Sequence, residues 1–423
     1  MSEENKSTPV DCDTIGLQGL LSVSEALQRI RDALTPISGF ERRALRDAHR
    51  CIVAEPVTSP LNVPPYVNSA MDGYAIVASD IPKEGEVTLQ VVGASFAGAP
   101  FDGTLQAGQA VRIMTGAMLP EGADTVVMQE LARREGEQVT IGSGHKPGDN
   151  VRHIGEDIAK DGMVLTPGQK IRAPELGLLA SLGVAEVTVR RRLRVATFST
   201  GDELCSIGEQ PREGQIYDSN RYSLFGMLRD LNVEHIDMGV IRDDPQAISD
   251  AFESASQVAD VLITSGGVSV GEADFVKQTL DRLGKVNFWK IAMKPGKPLA
   301  FGTVNNAVFF GLPGNPVSVM ATFYQVVQPS LRYLTGETAT QAIRVKVRSA
   351  DKLKKRPGRQ DFQRGILRTD EKGELRVHTT GNQGSHILSS MSQANCFIIL
   401  AAEAGNVEAG EWVEVEPFAG LFG

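Results

Sequence analysis

The chain of 423 residues carries a formal net charge of −9, and 41% of its residues are hydrophobic. This length exceeds what one hydrophobic core organises and predicts about three or four domains. The acidic balance argues against a nucleic-acid-binding or membrane-surface protein, since both favour a basic surface. No CxxC motif occurs, so reduced thiols in a cytoplasmic protein are expected at Cys12, Cys51, Cys205 and Cys396.

The N-terminal region begins with a polar stretch, residues 1–19, that lacks the apolar core of a signal peptide. No window reaches the ~20 apolar residues of a membrane span, so this stretch is expected to be a flexible tail. A capping-box pattern then precedes apolar residues at helical spacing and predicts an amphipathic helix containing Val23, Leu27, Ile30 and Leu34. A second helical segment is predicted at residues 42–50, before a proline-rich boundary at 60–65.

Residues 66–153 differ from the rest of the chain, because Gly and Pro separate short β-branched runs there. The pattern predicts a small all-β domain with strands at residues 87–92, 110–114 and 125–128. Two polar inserts interrupt it at Asp72 and Thr115, each followed by glycine. Ordinary turn chemistry accounts for both inserts.

The second half of the chain alternates strands and helices. A leucine-rich helix is predicted near residues 174–182, and we expect it to pack against the N-terminal helix. Apolar strands then alternate with helical spacing, with strands at residues 193–198, 233–241, 261–264 and 286–292. This predicts a doubly wound α/β domain whose ligands bind at the carboxyl ends of the strands. After residue 341 a period of two predicts a terminal β-barrel or sandwich.

The most informative loop follows the strand at 261–264. There Ser265, Gly266 and Gly267 lead through Ser269 to Asp274. Glycines let the backbone turn closely past a ligand, and the helix that follows aims its N-terminal amides at the same place. The loop therefore predicts an anion site with a phosphate as the expected ligand.

The strand at 193–198 ends in a similar loop, with two hydroxyl side chains followed by Gly201, Asp202 and Glu203. An ordinary turn with an aspartate cap explains either loop alone, whereas two such loops on neighbouring parallel strands would form one crevice. Asp218 precedes the next helix, where capping explains it and a role in the site is the alternative.

Two further loops lie at predicted strand ends. Lys290, Lys294 and Lys297 flank a turn with two prolines. Solvated lysines are the ordinary explanation, but fixed positive charge at a strand end of an acidic protein favours anion binding. The second loop would expose the amides of a helix N-terminus and contains Pro313, Gly314, Asn315, Pro316 and Ser318.

Acids near these loops, Glu203, Asp243 and Asp274, would repel an anionic ligand unless a cation bridges them. Mg²⁺ does this with one or two carboxylates plus phosphate oxygens. The residues therefore predict a phosphorylated ligand, a magnesium ion and lysines for a second anion. The histidines show no metal-ligand spacing.

In combination, these motifs resemble the molybdopterin molybdenumtransferases, called MoeA in bacteria, which are related to the E domains of a plant cofactor-synthesis enzyme and of gephyrin. The resemblance covers about residues 20–423 and shows no departure at the motif positions. The segments that carry it are residues 69–75, 113–116, 199–204, 265–271, 294–298 and 311–316.

The resemblance implies the last step of molybdenum cofactor synthesis, in which adenylylated molybdopterin is hydrolysed, AMP is released and molybdate enters the dithiolene, with Mg²⁺ required. It implies a homodimer whose cleft is completed by the β-rich domain of the other subunit, which would give Asp72 and Thr115 a role. Molybdopterin adenylyltransferase and molybdoenzyme maturation proteins are the implied partners, without nucleic acid or membrane.

The implied fold is α/β and multidomain. A helix-containing linker and dimerisation domain accompanies the small all-β domain, the doubly wound pterin-binding domain and a C-terminal β-barrel. The expected boundaries are a tail at 1–19, a discontinuous linker at 20–65 and 154–190, then 66–153, 191–340 and 341–423.

The resemblance also implies roles for the charged residues. Glu203, Asp243 and Asp274 would position Mg²⁺ or activate attack on the phosphoanhydride. Lys290 and Lys294 would hold phosphate or stabilise developing charge, so that catalysis would act by positioning and charge stabilisation.

The implied molybdate ligands are Lys294, Lys297 and Ser269, since a dianion suits two ammonium groups and a hydroxyl donor. Arg359 and Arg364 in the last domain would assist, with a solvated face as the alternative.

Two other functions are alternatives. A molybdopterin adenylyltransferase would share the glycine-bearing α/β fold, but the additional domains and the lysine-proline loop argue against it. A peptide-binding scaffold of gephyrin type would not need the intact acids and lysines. Asp243→Asn or Asp274→Asn distinguishes these functions, because only an enzyme would lose cofactor production.

Overall fold

The computed structural model describes residues 19–266, 273–338 and 342–418. The first helix begins at the predicted capping box, where the Glu25 amide donates to Ser22 Oγ and the Ser22 amide donates to the Glu25 carboxylate. The elements of this first segment are α1 (Val23–Ala33), β1 (Phe40–Ala44), a 3₁₀ turn (Leu45–Ala48) and β2 (Val57–Thr58).

The next region is built from strands and two 3₁₀ turns. The strands are β3 (Asn68–Ser69), β4 (Gly73–Ile76), β5 (Glu86–Ser95), β6 (Gln109–Ile113), β7 (Thr125–Met128), β8 (Ala132–Glu135), β9 (Gln138–Gly142) and β10 (Val151–Arg152). Six of them form one sheet in the order β7-β4-β6-β5-β9-β8, and β3 pairs with β10. The 3₁₀ turns are Ala78–Asp80 and Gln129–Leu131. The prediction of a small β-rich region is confirmed.

The chain then returns to its first segment through β11 (Met163–Leu165), α2 (Ala173–Ser181) and β12 (Glu186–Arg190). β11 pairs with β2, and β12 pairs with β1, both antiparallel. The predicted helix at residues 42–50 is therefore wrong for its first part, which is strand, and is reduced to the 3₁₀ turn Leu45–Ala48. Pairing with a distant strand, including an Arg42–Glu186 ion pair of 3.6 Å, overrides the local helical spacing.

The two helices near the linker do not share a core, contrary to expectation. Val23, Ala26 and Ile30 of α1 are buried in the core of the α/β region. Leu179 of α2 lies in a separate core with the linker strands. The N-terminal helix is thus anchored to the body that follows later in the chain.

The α/β region contains most of the helices. Its elements are β13 (Arg194–Thr200), β14 (Leu204–Cys205), β15 (Ile216–Tyr217), α3 (Ser219–Asp230), β16 (Glu234–Ile241), α4 (Pro245–Val258), β17 (Val261–Ser265), α5 (Ala273–Leu283), β18 (Gly284–Lys290), β19 (Met293–Lys294), β20 (Pro298–Val304), β21 (Ala307–Leu312), α6 (Pro316–Thr322), a π turn (Phe323–Val327) and α7 (Gln328–Leu334). Within the described ranges, none of the helices combines the length and apolar character of a membrane span.

The main sheet of this region has the order β16-β13-β17-β21-β20-β18. β16, β13, β17 and β21 are parallel, β20 is antiparallel to β21, and β18 is antiparallel to β20. β18 therefore points the same way as the parallel strands. The α/β prediction is confirmed, with one reversed strand that the alternation did not indicate.

The last region closes into a barrel. Its elements are β22 (Val345–Ser349), β23 (Gln360–Thr369), β24 (Leu375–Thr379), α8 (Leu388–Gln393), β25 (Cys396–Leu400) and β26 (Trp412–Pro417). The ring runs β23-β24-β22-β26-β25 and returns to β23. β19 of the α/β region adds to it in parallel, with Lys294 opposite Asp361. The barrel and the predicted lysine loop are thus joined.

Candidate functional site

A cavity of about 1320 Å³ lies between the carboxyl ends of the parallel strands and the C-terminal barrel. Many of the residues predicted for the site line it. These are Glu203, Asp218, Ser265, Gly266, Lys294, Lys297, Pro313, Gly314, Asn315, Pro316 and Ser318. The structure therefore brings five separate segments of the α/β region together in one place.

The glycine turn after β17 is packed against the end of β13. Ser199 Oγ and Ser265 Oγ form a buried hydrogen bond of 2.8 Å. Gly266 has φ +87°, and a Cβ atom there would lie 2.7 Å from the carbonyl oxygen of Thr200. Only glycine allows this approach.

The rest of this loop lies partly outside the described residues. Gly267 and Ser269 fall in the undescribed segment. Asp274 belongs to the start of α5, but its side chain is also outside the described part. Their predicted roles stay predictions.

The acids near the end of β13 lie close to one another. Glu203 lines the cavity, and the Asp243 amide donates to Asp202 Oδ1 at 3.4 Å. Asp243 is exposed as a residue, but partial burial of its carboxyl group raises its pKa, and the charges of Asp202 and Glu203 act in the same direction. A Cβ atom on Gly201 would lie 2.5 Å from the Glu203 carboxylate. This acidic group favours a cation beside the cavity.

A complete protein cage for a metal ion is not present in the described ranges, where no three His, Cys, Asp or Glu side chains converge. Mg²⁺ commonly uses one or two carboxylates and takes its other ligands from phosphate and water. Glu203 lines the cavity and Asp243 lies beside it outside the wall, so that the two would supply the carboxylates of such a site.

Asp218 serves both as a cap and as part of the cavity wall. Its Oδ1 accepts from the Arg221 amide at 3.1 Å and caps α3. Its Oδ2 is buried and has no hydrogen-bond partner among the described residues. The side-chain amide of Asn220 donates to the Gly314 carbonyl at 2.7 Å. Asn220 Oδ1 and the Thr200 hydroxyl are also buried without a hydrogen-bond partner among the described residues. Buried polar atoms of this kind indicate a polar ligand.

The lysine loop contributes two of its three predicted cations. Lys294 and Lys297 line the cavity, whereas Lys290 is exposed at the end of β18 and is not in its wall. Gly296, at φ +105°, packs against Thr322, where a Cβ atom would lie 2.5 Å from the hydroxyl. This close packing, with the β19–β23 pairing, fixes the loop between two domains.

The barrel wall contains residues that the sequence analysis missed. They are Lys352, Lys354, Asp361, Gln363, Gln383 and His386. Arg359, which was predicted, also lines the cavity from this side. Lys355 is buried behind them and donates to the carbonyls of Arg356 and Arg359 at 3.1 and 2.9 Å. The polar, glycine-containing insert at residues 383–386 was the available signal.

Arg364 is buried rather than solvated, which excludes the alternative of a solvated face. Its Nε donates to Ser390 Oγ and its Nη2 to the Gly384 carbonyl, each at 3.0 Å. Burial lowers the pKa of the Arg364 guanidinium to about 10. Arg364 therefore holds the loop that carries Gln383 and His386 against the cavity.

Asp72 and Thr115 lie in the β-rich region and do not line this cavity. The backbone amide and the hydroxyl of Thr115 each donate to Asp72 Oδ1 at 2.7 Å. These two hydrogen bonds hold the pKa of the Asp72 carboxyl below its usual value. The pair is thus formed within one domain, at its surface.

An α/β sheet with glycine turns and lysines around a polar cavity at its strand ends is typical of proteins that bind anionic ligands. Three family profiles match successive parts of the chain. "MoeA N-terminal region (domain I and II)" matches residues 21–183, "Probable molybdopterin binding domain" matches 196–333, and "MoeA C-terminal region (domain IV)" matches 346–418.

Proteins similar to this chain are consistent with the match to these family profiles. The molybdopterin molybdenumtransferase of Haemophilus influenzae is 47% identical over 96% of this chain and 100% of its own length. That of a Nostoc species is 40% identical over 86% of this chain and 85% of its own length. The crystal structure of the molybdopterin biosynthesis protein MoeA from Pyrococcus horikoshii matches with a TM-score of 0.81 at 29% identity, over 94% of this chain and all of that one. The chain belongs to the MoeA family of molybdopterin molybdenumtransferases.

Proposed function

We propose that this member of the family is a transferase that inserts molybdenum into molybdopterin, and that the large cavity is where the reaction occurs. One observation carries the proposal. Glu203, the Ser265–Gly266 turn and the lysines Lys294 and Lys297, although distant in sequence, line the same cavity. A carboxylate, a glycine turn with backbone amides and two ammonium groups are the groups expected to position and stabilise anionic substrates in this reaction.

The substrate is proposed to be adenylylated molybdopterin, which is hydrolysed to release AMP. The cavity volume of about 1320 Å³ exceeds the roughly 300–1,000 Å³ of common small-molecule sites, which suits a pterin joined to a nucleotide. The buried oxygens of Thr200, Asp218 and Asn220, without partners in the described ranges, would accept hydrogen bonds from it.

Molybdate is proposed to bind at Lys294 and Lys297, with Ser269 as a further ligand. A tetrahedral dianion is stabilised by fixed ammonium groups. The pairing of β19 with the barrel fixes Lys294 before the anion arrives, which reduces the entropy lost on binding. Arg359 lines the same cavity from the barrel side.

Magnesium is proposed to be held by Glu203 and Asp243, with Asp274 as the third candidate. When bound, the ion would offset negative charge on the phosphoanhydride. The raised pKa of Asp243 supports this assignment, since its carboxylate lies among like charges without a described cation. The residues themselves would position the phosphoanhydride and orient the attacking water.

The assembly is proposed to be a cytoplasmic homodimer in which Asp72 and Thr115 of one subunit complete the cleft of the other. Their absence from the wall of their own subunit's cavity motivates this arrangement. Molybdopterin adenylyltransferase as the supplier of substrate, and maturation proteins as recipients of product, remain the proposed partners.

The test is to incubate the purified protein with adenylylated molybdopterin, Mg²⁺ and molybdate. AMP and molybdenum cofactor should appear together and depend on both ions. Consumption of ATP with molybdopterin, without any effect of molybdate, would show an adenylyltransferase instead. Lys297→Met should raise the molybdate concentration required, while the affinity for the nucleotide stays nearly unchanged.

A further inference from the structure

A second cleft lies away from the candidate site, at the junction between the linker strands and the α/β body. Its volume is about 20 Å³, enough for one small ion, because a water molecule needs roughly 10–15 Å³ on this measure. We call it the junction cleft. Its charged lining is Arg50, Lys170, Arg190, Arg191, Arg192, Arg332 and Glu337.

The positive charge of the junction cleft is largely uncompensated within the described residues. Arg191 forms two hydrogen bonds with Asp260, of 2.7 and 2.8 Å. Apart from Arg191, the lining contains five basic residues and one acidic residue, Glu337. Glu337 forms an ion pair with Arg332, whose Nε lies 3.8 Å from Glu337 Oε2, a distance too long for a hydrogen bond. A net charge of this sign is unusual in a chain of net charge −9.

Two buried donors of the cleft also lack acceptors. Nε of Arg190 and Nε of Arg332 are inaccessible to solvent, yet neither has a hydrogen-bond partner among the residues that the structure describes. The Arg190 side chain is held in place, since its Nη1 donates to the Ile37 carbonyl at 3.1 Å. Orphaned buried N–H groups are rare in folded proteins and normally meet a water or an ion.

Lys170 shows the same lack of negative charge. Burial lowers the pKa of its ammonium group, and the charges of Arg332 and Arg50 lower it further, while Glu337 alone opposes them. Among the described residues, only burial and neighbouring charges, and no side-chain hydrogen bond, act on the pKa of Lys170.

We propose that the junction cleft binds one small inorganic anion, with Arg190, Arg332 and Lys170 as donors. Lys170 and Arg190 belong to the linker, and Arg332 belongs to α7 of the α/β body. An anion between them satisfies the orphaned donors and reduces the repulsion. The ion thereby adds to the polar contacts that join these two parts, such as the hydrogen bond of 2.9 Å from the Thr338 amide to the Gly168 carbonyl. Chloride and the tetrahedral oxyanions share this chemistry.

A direct test uses crystals of the intact protein soaked in sodium bromide, because bromide replaces chloride and is located by anomalous scattering. A peak between Nε of Arg190 and Nε of Arg332 is expected. Crystals that show bromide elsewhere but none in the junction cleft, and no sulfate there after a parallel sulfate soak, would overturn the proposal.

Thermal unfolding tests the same site in solution, with chloride or sulfate replacing gluconate at constant ionic strength. The half-saturating anion concentration should rise about fivefold in Lys170→Met and fall by a similar factor in Glu337→Gln, as expected for one charge near the surface. A packing defect would shift both variants in the same direction. Because sulfate, like molybdate, can also bind at the Lys294–Lys297 loop, both variants are compared with their parent in a Lys297→Met background. Equal shifts of one sign, or no anion dependence of the wild type, would overturn the proposal.

Discussion

The β-rich and α/β regions each contain an aspartate in a polar loop, and the surroundings shift the pKa values of the two carboxyl groups in opposite directions. Asp72 accepts two hydrogen bonds from Thr115, and they lower its pKa. Asp243 loses part of its hydration next to Asp202 and Glu203, and its pKa is raised. The first carboxylate is satisfied within its own domain. The second is repelled by its neighbours and would be stabilised by a cation.

The buried oxygens follow the same division. Three unpartnered side-chain atoms, on Thr200, Asp218 and Asn220, belong to residues of the α/β cavity wall. The β-rich region has one such atom in the described ranges, Asn68 Oδ1. The α/β region thus has the features of a binding site. The Asp72–Thr115 pair, by contrast, lies exposed at the surface of its domain.

The largest expected effect is on catalysis in the α/β region. Asp243→Asn should lower the rate of AMP release by about 100-fold or more, since it removes charge stabilisation at the reacting group. The adjacent Asp244→Asn is the matched control, because Asp244 caps α4 and asparagine caps equally well. Equal activity of the two variants would contradict the role of Asp243.

The β-rich pair should matter only between subunits. Asp72→Asn alone should lower activity roughly tenfold or more, as the loss of one positioned charge does. Co-expression with Asp243→Asn chains should restore about a quarter of wild-type activity, because half of the randomly formed dimers are mixed and keep one intact cleft. Mixed dimers without recovered activity would show that each cleft is built from one chain. Purification through two different tags provides the mixed dimer for this measurement.

Two glycines allow the same comparison for stability. Gly266→Ala should destabilise by about 3 kcal/mol, since it combines a left-handed backbone with a Cβ contact on the Thr200 carbonyl. Gly116→Ala, at φ +78° with open space around it, should cost only about 1 kcal/mol. Urea unfolding of the two variants measures the difference. Equal losses would mean that the turn after β17 can relax.

The smallest effect is a difference in pH dependence. Above the unfolded aspartate pKa of about 3.9, the folded protein retains a proton on Asp243 more readily than the unfolded chain does, so this group makes stability fall as pH rises. Asp72 acts oppositely, because its lowered pKa contributes stability that is lost as pH falls through the folded value. Relative to wild type, Asp243→Asn should therefore be more stable at neutral pH and Asp72→Asn less stable, and both differences should shrink in acid. Thermal melts of the two variants between acidic and neutral pH measure these differences. If the difference from wild type changed with pH in the same direction for both variants, the assigned pKa shifts would be wrong.

Much of the α/β region could be predicted from the sequence because its information is local. The strand at 261–264, the turn at Ser265 and Gly266, and the cap at Asp218 each follow from neighbouring residues. That parallel strands end at one edge then places Glu203 and Gly266 together without further data. The lysine loop joins them because β18 points the same way as these strands.

The failures have a common physical cause, which is pairing across long sequence separation. Residues 42–50 have helical spacing, yet β1 is a strand because β12 is available to pair with it. Gln363 and Gln383 look like ordinary strand and turn residues until the barrel closes against the lysine loop. The burial of Arg364 likewise depends on the loop that folds over it.

The pairing of β19 with β23 limits where molecules can enter and leave the cavity. The two walls are joined by main-chain hydrogen bonds, including one of 2.8 Å from the Gln360 amide to the Ala292 carbonyl, and cannot swing apart without breaking them. Precursor and product must therefore enter and leave at another part of the cavity rim, away from this joint.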